Sequence, residues 1–198
     1  MHYPVRGAAN LNTRILKLEL SALYARLGRA SANLYSDQAR AAQDKIVQDT
    51  AQYNNLMNGK WRFMMDMAPR KLPVFDTPEY PKWSGSGKTG CSVSFNGQYA
   101  DDSAVLTFRK GKPGSQVITL FGYAPKDLAW TAKSTNASLT LAADGGTLAA
   151  ANGYEARLTV AYDGGDAKGN LNFTCDGKPL TVRTQILSES AVRPKPTA

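Results

Sequence analysis

Two periods divide the chain. From Leu11 to about Asn58 the apolar positions recur at helical spacing: Leu16, Leu20, Leu23 and Leu27 follow one another at four, three and four residues. Gly28 interrupts the stripe. It resumes with Ala32, Tyr35, Ala39, Ala42 and Ile46, then Tyr53 and Leu56. This predicts two helices joined by a short turn, an antiparallel hairpin whose small residues let the helices approach closely. A hairpin has no core of its own, so an apolar stripe on it predicts a partner surface. Asp49 falls on the same stripe, which predicts a hydrogen-bonded structural group at the helix contact.

Beyond Phe75 the composition changes. DTPEYPKWSGSGKTG is rich in Pro, Gly and Ser and predicts a linker or long loop. Short alternating runs follow: CSVSFNG, AVLTFRK, SQVITLFGY, LAWTAK, SLTLAA, YEARLTVAYD, GNLNFTC and PLTVRTQIL. In the sixth, Ala156, Leu158, Val160 and Tyr162 alternate with Glu155, Arg157, Thr159 and Ala161; in the last, Leu180, Val182 and Ile186 oppose Thr181, Arg183 and Gln185. That is the pattern of half-buried strands. Asp144-Gly145, Asp163-Gly164 and Asp176-Gly177 predict tight turns. The expected fold class is α+β: a helical segment over residues 1–70, a linker over 71–89, an immunoglobulin-like antiparallel β-sandwich over 90–187, and a frayed tail over 188–198.

Charge changes this picture little. The chain has 198 residues and a formal net charge of +8, but its basic residues are scattered, densest around Lys60, Arg62, Arg70 and Lys71. No helix-turn-helix pattern, zinc spacing or aromatic platform accompanies them, so a nucleic-acid partner is not expected. No apolar run approaches the ~20 residues that cross a bilayer, and no membrane partner is expected. The opening MHYPVRGAAN lacks the apolar core and cleavage region of a signal peptide. With a helical pattern already under way by Leu11, the expectation is that further chain precedes it; the compartment stays open. Cys91 and Cys175, each alternating with apolar neighbours, are either buried thiols or a single bridge between sheets.

Most reactive chemistry is excluded. SGSGKTG resembles a phosphate-binding loop, but Lys82 occupies the position of the required glycine and a strand follows instead of a helix. His2 is the only histidine and lies at the terminus, which leaves no base for a Ser-His nucleophile. The acidic residues sit in predicted turns (Asp144, Asp163, Asp166, Asp176) or on helix surfaces, and no spacing pairs two of them across a sugar. Turn chemistry accounts for Asp101-Asp102 without calcium. Trp61, Trp83 and Trp130 could stack on sugars; the alternation around Trp130 predicts a core residue, and Trp83 an anchor for the linker. No catalytic residue, metal ligand or cofactor is expected.

The least ordinary stretch is GKWRFMMDM, directly after the helix that Asn58-Gly59 should end. Together with HYPVRGAANLN, LYARLGRASAN and YNNLMNGKW, it resembles glycoside hydrolase family 115, the xylan α-1,2-glucuronidases, which remove glucuronic or 4-O-methylglucuronic acid branches from xylan. In the second half, VITLFGYAPKDLAWTAKSTNASLTLAADGGTL and YEARLTVAYD resemble the family's sandwich region. The likeness runs from His2 to Ile186 and is most specific at GKW and the two methionines. This chain departs from the family at Asn58, where a second glycine is common, and at Ala68-Pro69-Arg70, where a His-Ile-Gly-Tyr run is usual. The resemblance implies that catalysis belongs to domains preceding these helices, so no catalytic acid or base is carried over. It implies that Lys60, Trp61, Met64 and Met65 lie where the helix end meets those domains, as junction or substrate-binding candidates. Thioethers beside an indole suit an irregular gap. The expected partners are thus the catalytic domains of a parent enzyme and, through it, xylan. The alternatives are a stand-alone carbohydrate- or protein-binding sandwich and a self-associating homodimer.

Overall fold

The computed structural model describes residues 2–64, 76–100 and 104–188. The chain divides into two compact units: Met1–Leu27 with Ser31–Ser84, and Gly28–Ala30 with Gly85–Ala198.

The first unit is the hairpin. Helix α1 spans His2–Arg26 and α2 spans Ala32–Asn54. α1 begins well before Leu11; Pro4 sits in its first turn, where a missing N–H costs no intrahelical bond. The helices run antiparallel, as their pairs show: Tyr3 with Tyr53 (5.7 Å between ring centroids), Arg6 with Asp49 (2.7 Å), Arg14 with Gln43 (2.8 Å) and Tyr24 with Tyr35 (5.0 Å). The buried face of α2 is Ala32, Ser36, Ala39, Ala42, Ile46 and Asp49, following the predicted stripe. Asp49 is ion-paired to Arg6, a structural carboxylate at the helix contact. On α1 the buried residues are Arg14 and Ser21. The predicted leucine stripe is largely in solvent: Leu16 is 64% exposed, with Leu23, Leu27, Ile15 and Val5 also exposed. Small residues form the seam between the helices, so the larger apolar side chains are left outside it.

Residues 76–84, expected as linker, are strapped to this hairpin. Asn33 accepts from the Trp83 N–H (2.8 Å) and donates to the Trp83 carbonyl (2.9 Å), Ser36 donates to the Pro81 carbonyl, and Arg14 donates to the Asp76 carbonyl. A proline-rich segment cannot pair as a strand, so α2 side chains satisfy its backbone instead. Tyr80 lies within this strap with its hydroxyl buried and without a hydrogen-bond partner among the described residues. Burial raises its pKa above the ordinary 10.0; nearby Arg14 opposes that shift and Asp44 adds to it.

The second unit is a two-sheet sandwich with ten strands among the described residues: β1 Cys91–Phe95, β2 Gln98–Tyr99, β3 Val105–Arg109, β4 Gly114–Gly122, β5 Leu128–Ser134, β6 Leu139–Leu141, β7 Gly145–Leu148, β8 Glu155–Tyr162, β9 Asn170–Cys175 and β10 Lys178–Leu187. One sheet has the order β2-β1-β4-β8-β6 and the other β3-β10-β9-β5-β7. In immunoglobulin lettering, β1, β4, β8 and β6 take the places of A, B, E and D, and β10, β9 and β5 those of G, F and C. The topology is therefore immunoglobulin-like, and it is not wholly antiparallel, because β3 runs parallel to β10. Alternate residues of both sheets fill the core, among them Val93, Ile118, Leu120, Leu158, Val160, Leu171, Phe173 and Val182.

Two of the three predicted Asp-Gly turns are something else. Asp176-Gly177 does close a two-residue hairpin, with φ of 50° and 76°, and Asn96-Gly97 does the same between β1 and β2 (50° and 75°). Asp163-Gly164 opens a longer loop between the sheets, while Gly145 and Gly146 begin β7. The glycines are needed there for packing: a Cβ on Gly146 would lie 3.2 Å from the Trp130 ring. Trp130 itself is 5% exposed within the core, which removes it as a sugar-stacking surface.

Cys91 on β1 and Cys175 on β9 are joined, so the bridge ties one sheet to the other. Antibody domains link strands B and F; here the partner of the F-position cysteine is on A. Trp130 pairs in register with Cys175, so the C-strand tryptophan still lies beside the bridge.

Tyr162, buried at the end of β8, donates to the Gly165 carbonyl at 2.6 Å. Burial, then the nearby Asp163 and Asp166 carboxylates, raise its pKa above the ordinary 10.0, against a smaller opposing effect of Lys110. The folded state therefore holds this proton more tightly than the unfolded one. The associated stability is complete below pH 10.0 and is lost as pH climbs through the raised value. Tyr162→Phe is expected to flatten that alkaline loss, as read from urea unfolding midpoints at about pH 8 and about pH 10.5. An unchanged slope assigns the loss to other groups.

Candidate functional site

The sequence singles out the tip beyond α2, and the structure shows an unusual backbone there. After Asn54 a short 3-10 turn covers Leu56–Gly59, with Met57 (φ 49°), Asn58 (58°) and Gly59 (83°) all left-handed. Phe63 is left-handed as well (65°). Consecutive turns are held by Lys60 N–H to the Met57 carbonyl (3.3 Å), Arg62 N–H to Gly59 (3.0 Å) and Met64 N–H to Trp61 (3.2 Å). The Asn54 side chain accepts from the Phe63 N–H at 3.0 Å and folds the tip back on the helix end. Left-handed φ at a methionine and a phenylalanine is costly in isolation, and such conformations concentrate at functional sites.

This backbone turns large apolar side chains outward. Phe63 is 69% exposed, Met64 67% and Trp61 37%; Met57 and Leu56 join them. The Lys60 ammonium lies 5.2 Å from the Trp61 ring centroid, in cation–π range. Of the four candidates, Lys60, Trp61 and Met64 share one exposed tip, whereas Met65 lies outside the described residues. These side chains present an apolar surface with a basic edge. Such a surface, apolar with a cation at its edge, can bind a partner.

Other chemistry is equally sparse. No three His, Cys, Asp or Glu residues cluster as metal ligands among the described residues. His2 is exposed and contacts Arg6 (3.2 Å), its neighbour one turn along α1. Lys88, from the phosphate-loop-like stretch, lies 5.1 Å from the Tyr123 ring, and Thr89 accepts from Lys178 at 2.9 Å. That stretch leads directly into β1, with no helix N-terminus to face a phosphate.

One cluster escaped the sequence altogether. Arg29, in the turn between the helices, belongs to the compact unit of the sandwich and is buried. Its guanidinium lies 4.2 Å from the Phe121 ring centroid, 3.0 Å from the Glu155 carboxylate and 3.4 Å from Ser94 Oγ. Tyr99 and Tyr123 meet the Phe121 ring edge-on at 5.7 and 5.4 Å. Phe121 thus heads a second small core on the outer face of its sheet.

No protein-family profile matches the chain, and no curated protein sequence matches it. Solved structures similar to it include WR4, an MSP family member of Caenorhabditis elegans, at 15% identity over 35% of this chain and 64% of that one (TM-score 0.30). This chain therefore spans just under two thirds of WR4. SSP-19, an MSP-domain-like protein of the same organism, matches at 13% identity over 41% of this chain and 96% of that one (TM-score 0.32). The ASH/PapD-like domain 7 of human CEP192 matches at 10% identity over 57% and 92% (TM-score 0.34). Likeness at this level carries no argument about function.

Proposed function

We propose that this chain is the C-terminal, non-catalytic part of a xylan α-1,2-glucuronidase of glycoside hydrolase family 115. Its hairpin braces the catalytic domains that remove glucuronic or 4-O-methylglucuronic acid from xylan. The observation that carries the proposal is the coincidence of the family-like GKW–methionine stretch with an exposed apolar tip. Lys60, Trp61 and Met64 fall together there, and the leucines of α1 are exposed on the same unit. Exposed apolar surface of this kind, rimmed by polar residues, marks an interaction site.

The test has two arms. The purified chain is expected to release no 4-O-methylglucuronic acid from glucuronoxylan, and turnover by it alone overturns the reading. Mixed with the catalytic domains of a family enzyme that has been shortened before its corresponding helices, it is expected to associate and restore activity. Trp61→Ala with Met64→Ala should weaken that association by about tenfold or more, since each removes a large anchor. Failure to associate would leave the resemblance without a functional meaning.

A further inference from the structure

Three Asn-Gly pairs occur in the chain: Asn58-Gly59, Asn96-Gly97 and Asn152-Gly153. Asparagine is thermolabile, and it is most so before glycine. The next main-chain nitrogen attacks the side-chain Cγ, and a residue without Cβ leaves that approach unhindered. Sequence makes the three pairs equivalent. The structure does not.

Asn152 is held at both ends of its amide: Oδ1 accepts from the Ala149 N–H and Nδ2 donates to the Thr147 carbonyl, both at 2.9 Å. Its would-be nucleophile is engaged as well, since the Gly153 N–H donates to the Ala150 carbonyl at 3.0 Å. Asn96 is held at one end, Nδ2 donating to Gln116 Oε1 at 3.2 Å, and it sits in the hairpin that pairs β1 with β2. Asn58 is exposed, and its side chain has no hydrogen bond among the described residues. Its backbone is also the most strained of the three. Met57, Asn58 and Gly59 are left-handed in succession, and two of them carry a Cβ. Ring closure requires Asn58 to leave its ψ of 33°, so the turn must open first. Strain in the closed turn lowers the free energy of that opening.

We propose that Asn58 is a self-modifying site, at which the tip deamidates ahead of the other two pairs. Hydroxide takes the proton of the Gly59 nitrogen, which then bonds to Asn58 Cγ. The Cγ–Nδ2 bond breaks, and the nitrogen leaves as ammonia with a proton from water. A second water opens the five-membered imide at either carbonyl, giving aspartate or its β-linked isomer. Nothing is oxidised or reduced, and water is the only co-reactant. Either product places a carboxylate, ionised at neutral pH with an ordinary pKa of about 3.9, two residues before Lys60. The β-linked isomer also lengthens the main chain of the turn by one methylene. The basic edge of the tip is thereby neutralised, which weakens docking there; that consequence rests on the reading of the tip as a docking surface, whereas the modification does not.

The test follows the 198-residue chain alone in mildly alkaline buffer, folded or in urea, by digestion and mass spectrometry with the two isomers separated chromatographically. In the folded chain Asn58 is expected to convert at least about tenfold faster than Asn96 or Asn152. In urea the three rates should converge, because a glycine follows each. Conversion of Asn96 or Asn152 as fast as Asn58 in the folded chain would overturn the proposal. So would an equal spread of rates in urea, which assigns the order to neighbouring sequence instead of the fold. No partner is present in this experiment, so a tip that fails to dock leaves its outcome unchanged.

Discussion

Reducing the Cys91–Cys175 bridge is expected to destabilise the sandwich by about 4 kcal/mol. The two cysteines are 84 residues apart, so the bridge closes most of the domain into one loop in the unfolded chain. In the chain-entropy account a loop of that size is worth roughly 4.5 kcal/mol at 25 °C, and removal of native disulfides typically costs about 2–5. The native state loses little in exchange, because both side chains lie among core residues and small apolar thiols remain when the bond is gone. Urea unfolding of the intact chain with and without reductant, together with Cys91→Ala/Cys175→Ala, measures the difference; in Tm the fall should be on the order of 20 °C. A change below about 1 kcal/mol would show that the sheets are held by packing alone. Structural bridges persist in oxidising compartments, so the same molecule in a reducing one would be markedly weaker.

The sequence carried what is periodic, and contacts decided the rest. Strands β1, β3 to β6 and β8 to β10 fall on the alternating runs, because a residue on one face of a sheet must be apolar wherever that face is buried. β7 was invisible: its first two residues are glycines, and Gly146 is there to admit the Trp130 ring from the opposing strand. β2, at two residues, is too short to show a period. In the hairpin the small-residue seam of α2 was legible, and the leucines of α1 from which a partner surface is expected are exposed. A stripe says only that one face is apolar, and here the closer-packing small residues took the seam. The cysteine pairing was undecidable for the same reason: alternation places each thiol on a core face but does not bring the two faces together.

The tip shows the limit most clearly. α2 ends at Asn54, four residues before Asn58-Gly59, and those two lie in the left-handed turn that follows it; Met57 and Phe63 share that conformation without any residue type to announce it. The resemblance, together with the indole and thioether chemistry, made Trp61 and Met64 junction candidates. Both are exposed in the structure.

Arg29→Ala is the second large effect to expect, a loss of about 3 kcal/mol. The guanidinium and the Glu155 carboxylate are both nearly buried, 7% and 12% exposed. Removing one partner of such a pair leaves the other charge desolvated, which typically costs about 3–5 kcal/mol, and the residual exposure here argues for the lower end. Packing contributes as well, since the planar group covers the Phe121 face at 4.2 Å. These two causes separate by substitution. Arg29→Lys keeps the charge but loses the flat, bidentate geometry, and should recover only part of the stability. If the charge pair dominates, Arg29→Ala/Glu155→Gln is more stable than Arg29→Ala alone; if the ring contact dominates, the second change brings nothing back. Urea denaturation of the four proteins decides it, and a loss under about 1 kcal/mol for Arg29→Ala would reduce the residue to surface decoration. The expectation follows from a three-residue turn, Gly28–Ala30, that belongs to the compact unit of the sandwich although its neighbours in the chain belong to the helices. In a turn an arginine carries no periodic signal. The ring beneath it and the carboxylate beside it give it a role.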